Sequence, residues 1–215
     1  MENKRILLVG GGGHCRSVVD SLLETDGNRE LGIVEKPGTG EGDVFGISVV
    51  GTDDDLQKLF DDGWGFAFIT LGGIGLSEKR RSLYSILQKI GYIFPAIIDK
   101  TAIISKHVEI HEGAFVGKNA VINAGAEIGI CAIINSCAVV EHDCSVGAFS
   151  HISPGAILCG GVSIESGAHV GAGAVVRQQL SIGHNSIIGM GSVVTRDIPE
   201  NVIAFGNPCK IEKKL

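Results

Sequence analysis

Glu141-His142-Asp143 places one imidazole between two carboxylates. That residue type in that setting suits removal of a proton from a nucleophile attacking an acyl group near neutral pH. A neighbouring carboxylate would fix the tautomer and stabilise the imidazolium that forms. In an extended strand residues 141 and 143 share a face and His142 points away from both, so Asp143 reaches the ring only if a corner or turn intervenes. The alternative for His142 is a solvated corner histidine. His151 follows nine residues later and His169 a further eighteen. His151 reads either as a ligand contact or as a packed interface residue. Cys137 and Cys144 lie in the same stretch; a thiol there is chemically able to carry an acyl group, although small-residue packing accounts for both more simply.

A second constellation opens the chain. Gly10-Gly11-Gly12-Gly13 follows the apolar run Arg5–Val9 and precedes a segment with apolar residues at helical spacing, Val18, Val19, Leu22 and Leu23. A strand, a glycine loop and a helix N-terminus in that order offer free main-chain N–H groups and a favourable dipole to a phosphate. A plain tight turn is the alternative. The loop is not a dinucleotide fingerprint, because that pattern needs glycine where Cys15 stands.

The elements that must position these groups fall into two halves. In the first, strands are expected at Arg5–Val9, Leu31–Glu35 and Gly65–Leu71. Helices are expected after the glycine loop (Ser17–Glu24), at Asp53–Phe60 capped by Thr52, and at Ser77–Ile90 capped by Ser77. Strands alternating with helices imply a parallel sheet. In the second half aliphatic residues recur at every sixth position from Ile98 to Val194, with a small residue such as Ala120, Ala138 or Ala156 two places before most of them. That period is the signature of hexapeptide repeats winding a triangular parallel β-helix, three hexapeptides to a coil of about 18 residues. About five coils spaced ~4.8 Å apart give a prism roughly 25 Å tall. Gly and Asn directly after the aliphatic, as at Gly117, Asn123, Gly129, Asn135, Gly147, Gly171, Gly183 and Gly189, are expected to supply positive φ at the corners.

The repeat turns spacing into geometry. His142 and His151 are half a coil apart, so they fall on opposite parts of the cross-section and cannot converge within one subunit. They can converge where one prism meets another, as in a threefold trimer with heterologous contacts. Three sites per trimer are therefore expected, each at a subunit boundary. His151 and His169 should stack on successive coils about 5 Å apart. His107, His111 and His184 read as exposed turn or surface residues.

Composition narrows the possibilities. The 215 residues carry a formal net charge of −6 and no dense basic run, which argues against a general nucleic-acid binder. No stretch approaches the ~20 apolar residues of a membrane helix, and the opening residues read as a buried strand rather than a signal peptide. The 6 cysteines have no paired spacing and read as free thiols in the cytoplasm.

The stretch Asn135-Ser136-Cys137-Ala138-Val139-Val140-Glu141-His142-Asp143-Cys144, continued by Gly147-Ala148-Phe149-Ser150-His151-Ile152-Ser153-Pro154-Gly155-Ala156, resembles the active-site region of hexapeptide-repeat sugar acetyltransferases. These are the UDP-4-amino-sugar N-acetyltransferases of bacillosamine and perosamine pathways, and the sialic acid O-acetyltransferases are similar. The resemblance extends to the glycine opening with His14 and to the ending Gly206-Asn207-Pro208-Cys209-Lys210. It implies a small α/β, Rossmann-like N-terminal domain (1–94) that holds a nucleotide-sugar, a left-handed β-helix (95–198) and a C-terminal tail (199–215). The left hand comes from the resemblance, since parallel β connections are otherwise right-handed. The resemblance further implies acetyl-CoA as cosubstrate, no metal and a homotrimer. His142 would be the general base, oriented by Asp143. His151, Gly160, Ala172, Met190 and Pro208 would contact acetyl-CoA, those near 160, 172 and 190 through main-chain amides. Gly11, Gly12, Gly13, His14, Glu35 and Asn135 would contact the nucleotide-sugar substrate. A three-histidine metal site of the gamma-class carbonic anhydrase kind is disfavoured because its His-x4-His pair is missing. N-acetylation of a nucleotide-linked amino sugar is the activity expected, with O-acetylation of sialic acid or a related sugar as the alternative and a non-catalytic or metal-binding trimer as the reading from another class.

Overall fold

The computed structural model describes residues 5–25, 29–36, 43–75 and 77–215. The chain forms two compact units, Met1–Ile97 and Ile98–Leu215. In the first, β1 (Ile6–Val9), α1 (Gly13–Thr25), β2 (Leu31–Glu35), β3 (Asp43–Val44), β4 (Ile47–Thr52), α2 (Leu56–Asp61), β5 (Phe66–Ile69) and α3 (Ser77–Ile90) follow in order. The sheet runs β3-β4-β2-β1-β5, parallel except for β3 against β4. β1 is apolar throughout because it is central, and every residue of it is buried. α1 lays Cys15, Val18, Val19 and Leu22 into the core at helical spacing.

The structure adds to this half and adjusts it. The β3–β4 hairpin has no counterpart among the strands expected from the sequence; it lies at the sheet edge, where Val49 and Val50 stay exposed and leave no buried periodicity to read. The helix expected at Asp53–Phe60 begins as a 3-10 turn over Asp53–Asp55 before α2. Thr52 marks its start, donating from its main-chain N–H and its hydroxyl to Asp55 Oδ2 at 2.8 and 2.9 Å. Ser77 is the first residue of α3, and position 76 before it lies outside the described residues, as do the first four of the chain.

In the second unit, two-residue strands recur every six residues from Ile103–Ile104 to Val193–Val194, the second residue of each being the aliphatic of the repeat. The chain winds a left-handed parallel β-helix. One face stacks 103–104, 121–122, 139–140, 157–158, 175–176 and 193–194; a second stacks 109–110, 127–128, 145–146, 163–164 and 181–182. The third carries 115–116, 133–134, 151–152, 169–170 and 187–188, and its stack is extended by the antiparallel hairpin Val202–Gly206 with Cys209–Lys214. Each residue pairs with the one 18 further on, as Ile133 does with His151. Inside, Val116, Ile134, Val140, Ile152, Leu158 and Val176 are fully buried beside Ala114, Ala138, Ala156 and Ala174. In the first coil the same register buries less, and Ile98 is 37% exposed.

The corners correct one expectation. Positive φ falls three residues before each aliphatic, at every sixth residue from Gly113 to Gly191, and not on the residue that follows it. Asn119, Cys131, Cys137, Asp143, Phe149, Gln179 and Asn185 adopt it as well as glycines do. The glycines after the aliphatic serve a different need. A Cβ on Gly129, Gly147, Gly171 or Gly183 would stand 2.7, 2.6, 2.5 or 2.4 Å from a main-chain nitrogen of the next coil. They are close-approach glycines, required by coil stacking rather than by the left-handed conformation.

Candidate active site

His142 and Asp143 occupy the corner between Val139–Val140 of the first face and Ser145–Val146 of the second. The turn that an extended strand lacks is present: Asp143 has φ 59, which swings its carboxylate round to the ring. His142 Nδ1 and Asp143 Oδ2 are 2.8 Å apart. That hydrogen bond is the main reason the imidazole titrates above its ordinary value; desolvation opposes it, and the charges of Asp143 and Glu141 add smaller contributions in the same direction as the bond. With Nδ1–H committed to Asp143, Nε2 is the nitrogen left to accept a proton. Glu141 turns to the main chain, where its Oε2 accepts from the His142 N–H at 3.3 Å. Of the two acids, Asp143 holds the ring.

One coil further, Gly160 lies against this imidazole: a Cβ there would stand 2.6 Å from His142 Nε2. The corner opens into a cleft of about 500 Å³ lined by His142, Asp143, Cys159, Gly160 and Gln178. Cys159 and Gln178 escape a reading that follows the chain linearly, yet adding one coil to Glu141 and two to His142 gives their numbers.

His151 sits on the third face, across the prism from this corner, so the two histidines do not share a face. It is bound into a different cluster. Asn135 Nδ2 donates to His151 Nε2 at 3.2 Å. The His169 ring meets His151 edge-on with centroids 4.9 Å apart. His169 Nε2 is 3.2 Å from the Ser153 hydroxyl, and burial lowers its pKa to about 4, so it stays neutral. The remaining expected coenzyme contacts divide between corners. Gly160 accompanies His142, whereas Ala172 and Met190 stack on one another's column between the third and first faces, both exposed. Pro208 lies exposed in the C-terminal hairpin turn, which Gly206 N–H ties to Ser192 Oγ at 3.1 Å.

Cys144 fills an interior small-residue place, its Sγ donating to Cys159 O at 3.2 Å, and burial pushes its thiol up. Cys137 is exposed at a corner with φ 58. His107 is exposed, and His111 Nε2 is 3.1 Å from Glu127 Oε1. Among the described residues no group of three or more His, Cys, Asp or Glu is arranged to hold a metal ion.

In the first unit, the glycine loop, β2 and α3 enclose a cavity of about 470 Å³ lined by Gly10, Gly11, Gly12, Glu35, Asp53 and Lys79 among others. Glu35 leans across the loop: a Cβ on Gly11 would stand 1.7 Å from its Oε1. Glu35 Oε2 is closed off from solvent and has no hydrogen-bond partner among the described residues. Gly12 and Gly13 are exposed at the start of α1, with open space where their side chains would be. His14 follows with its Nε2 closed off from solvent; burial, aided by the Arg80 guanidinium, lowers its pKa to about 4. It is a neutral imidazole throughout the physiological range. Gly11, Gly12 and Glu35 thus come together at one cavity, with Gly13 and His14 continuing the loop into the helix.

Two families match the chain: the PglD N-terminal domain over residues 5–87, and the hexapeptide repeat of succinyl-transferase over residues 138–178 and 180–196. No curated protein matches it. Solved structures do. A mutant of perosamine N-acetyltransferase from Caulobacter crescentus, in complex with CoA and GDP-perosamine, is 36% identical over 97% of each chain with a TM-score of 0.90. The acetyltransferase domain of PglB from Neisseria gonorrhoeae is 31% identical over 98% of this chain and 100% of that one, TM-score 0.90. WeeI from Acinetobacter baumannii is 26% identical over 97% and 100%, TM-score 0.85.

Proposed function

The chain belongs to the hexapeptide-repeat sugar acetyltransferases with a PglD-type N-terminal domain, and from that premise we propose that it N-acetylates a nucleotide-activated amino sugar by direct transfer from acetyl-CoA. The observation that carries the proposal is the His142–Asp143 pair, held at a corner that lines an open cleft. In the reaction the sugar amine attacks the thioester carbonyl carbon as His142 Nε2 takes its proton. The C–N bond forms, the C–S bond breaks, and the imidazolium returns the proton to the departing thiolate. Asp143 stabilises the imidazolium between those steps. The Gly160 N–H, one coil beyond His142 and donating to no acceptor among the described residues, is available to the thioester oxygen. Gly11–His14 and Glu35 hold the nucleotide, the loop facing phosphate and the unpartnered Glu35 oxygen accepting from a hydroxyl or a base N–H.

A homotrimer belongs to the same proposal. Along the first face the outward residues are Ile103, Val121, Val139, Ile157, Val175 and Val193, whereas along the second they are Glu109, Glu127, Ser145, Ser163 and Ser181. A face of branched aliphatics with Ile103 65% exposed fits burial against another copy. Division of the expected coenzyme contacts between two corners fits a site shared by neighbouring subunits. No helix among the described residues is long and apolar enough to cross a membrane. Six free cysteines fit the reducing cytoplasm as the working compartment.

The test is thiol release from acetyl-CoA with a panel of nucleotide-linked 4-amino sugars and their hydroxyl counterparts. Turnover with an amine acceptor, and a loss of at least ~100-fold in kcat for His142→Ala at unchanged solution mass, is the expected result. Turnover with hydroxyl acceptors alone, or near-normal rates for His142→Ala, would refute it.

A further inference from the structure

The corner column that carries His142 reads Ala124, His142, Gly160, Gln178 on successive coils. Backbone conformation does not call for glycine at any of these places, since the left-handed residues stand in the next column, at Gly125, Asp143, Gly161 and Gln179. Other coils accept alanine or glutamine in the same column. Only the neighbouring imidazole distinguishes position 160. A Cβ there would stand 2.6 Å from His142 Nε2, 2.7 Å from Cε1 and 3.2 Å from Cδ2, so three ring atoms lie on the space a side chain would fill.

The main chain beneath the ring is fixed. Gly161 N–H donates to His142 O at 2.9 Å, and Gln179 N–H donates to Gly160 O at 3.0 Å, so Gly160 cannot withdraw without breaking the ladder on both sides. The ring, by contrast, is free to yield, because 64% of the His142 side chain is exposed. Among the described residues its one hydrogen-bond tether is Asp143, at Nδ1. A tether at one edge of a ring leaves it able to swing; a floor against the opposite edge stops it. We infer that Gly160 is a positioning residue whose missing side chain seats the His142 imidazole and sets the direction of Nε2. The inference rests on His142 as the base, and it assigns Gly160 a role apart from any contact of its amide with a ligand.

Gly160→Ala isolates this role, because alanine keeps the main-chain N–H and fits the backbone. The added methyl displaces the ring outward, and a misplacement on the order of 1 Å at a reacting group costs up to about 100-fold in rate. The expected result for the full chain is a kcat lowered about 10- to 100-fold, with the KM for acetyl-CoA changed by less than about threefold. The second readout is independent of activity. In an NMR titration the midpoint of the His142 resonance, assigned by its loss in His142→Ala, falls toward the ordinary imidazole value in Gly160→Ala as the ring leaves Asp143. If Gly160→Ala does not fold, the double variant Gly160→Ala/His142→Ala must fold, because the obstructing ring is gone; failure of both overturns the inference. Unchanged kcat with an unmoved titration overturns it also. So does a loss confined to the KM for acetyl-CoA with the titration unmoved, which would make position 160 a coenzyme contact only. Full activity of His142→Ala would remove the base assignment, while the titration of Gly160→Ala still reports whether the ring is seated there.

Discussion

Gly147→Ala and Gly155→Ala are one methyl group each, in the same prism, and they should differ sharply in stability. At Gly147 the new Cβ would meet only backbone of the following coil: Ser166 N at 2.6 Å, the Glu165 carbonyl carbon at 2.8 Å and Ile164 O at 2.9 Å. Ordinary contact needs the coils about 0.8 Å further apart locally. The hydrogen bond from Gly147 N–H to Ile164 O, 2.7 Å long, lies on that same seam and would be stretched beyond useful length. Loss of one such bond costs about 1 kcal/mol, and overpacking of this kind adds roughly 1–3 kcal/mol, so Gly147→Ala is expected to cost about 3 kcal/mol. Gly155 has φ +66 and open space around its Cβ position. Its penalty is conformational alone, roughly 1–2 kcal/mol, and Gly155→Asn should recover part of it, as Asn119 and Asn185 adopt the same conformation in other coils. Denaturant unfolding of the three variants, compared at one protein concentration, measures the differences. Equal losses for the two alanine variants, or a larger loss at Gly155, would refute the division of corner glycines into two kinds.

Asp143→Asn replaces the charged acceptor that holds the His142 pKa up with a neutral amide. The base works neutral, so activity appears as pH rises through that pKa. The variant should therefore show its acid limb of kcat/KM at lower pH, with a maximal rate reduced by about 10- to 100-fold; a limb that stays in place would separate Asp143 from the titrating group. Glu35→Gln should raise the KM for the nucleotide-sugar about tenfold or more while the KM for acetyl-CoA stays constant, as measured by thiol release under saturation of each substrate in turn. Ile157→Glu with Val175→Glu puts two charges on the aliphatic outer face. Light scattering should then report a smaller particle than the parent protein, and an unchanged mass would exclude that face as the contact between copies.

The β-helix could be read from the sequence because its period has no competitor: neither 3.6 nor 2.0 predicts aliphatics at Ile134, Val140, Val146 and Ile152 with alanine or a similarly small residue before them. The separation of His142 from His151 followed from the same count, and so did the 4.9 Å stacking of His151 on His169. What the spacing did not carry was the reason for each glycine. Both kinds recur with the same period, and only the three-dimensional structure tells a residue that bends the chain from one that lets the next coil approach. Gly160 could be counted onto the His142 column, but not the imidazole lying across it. The β3–β4 hairpin escaped because an edge strand with exposed valines has no buried face to set a pattern. The C-terminal hairpin escaped because it departs from the six-residue period at the place where the prism ends.

The column register described for the corners also acts as a ruler. A residue inserted into the stacked strands between His142 and the hairpin would throw every later corner out of line, whereas a whole coil could be gained or lost without disturbing the phase. The height of the stack therefore changes in steps of 18 residues, each moving the Pro208 turn by about 4.8 Å relative to the imidazole. The prism measures the reach of any extended ligand that must touch both ends, and it can be retuned only one notch at a time.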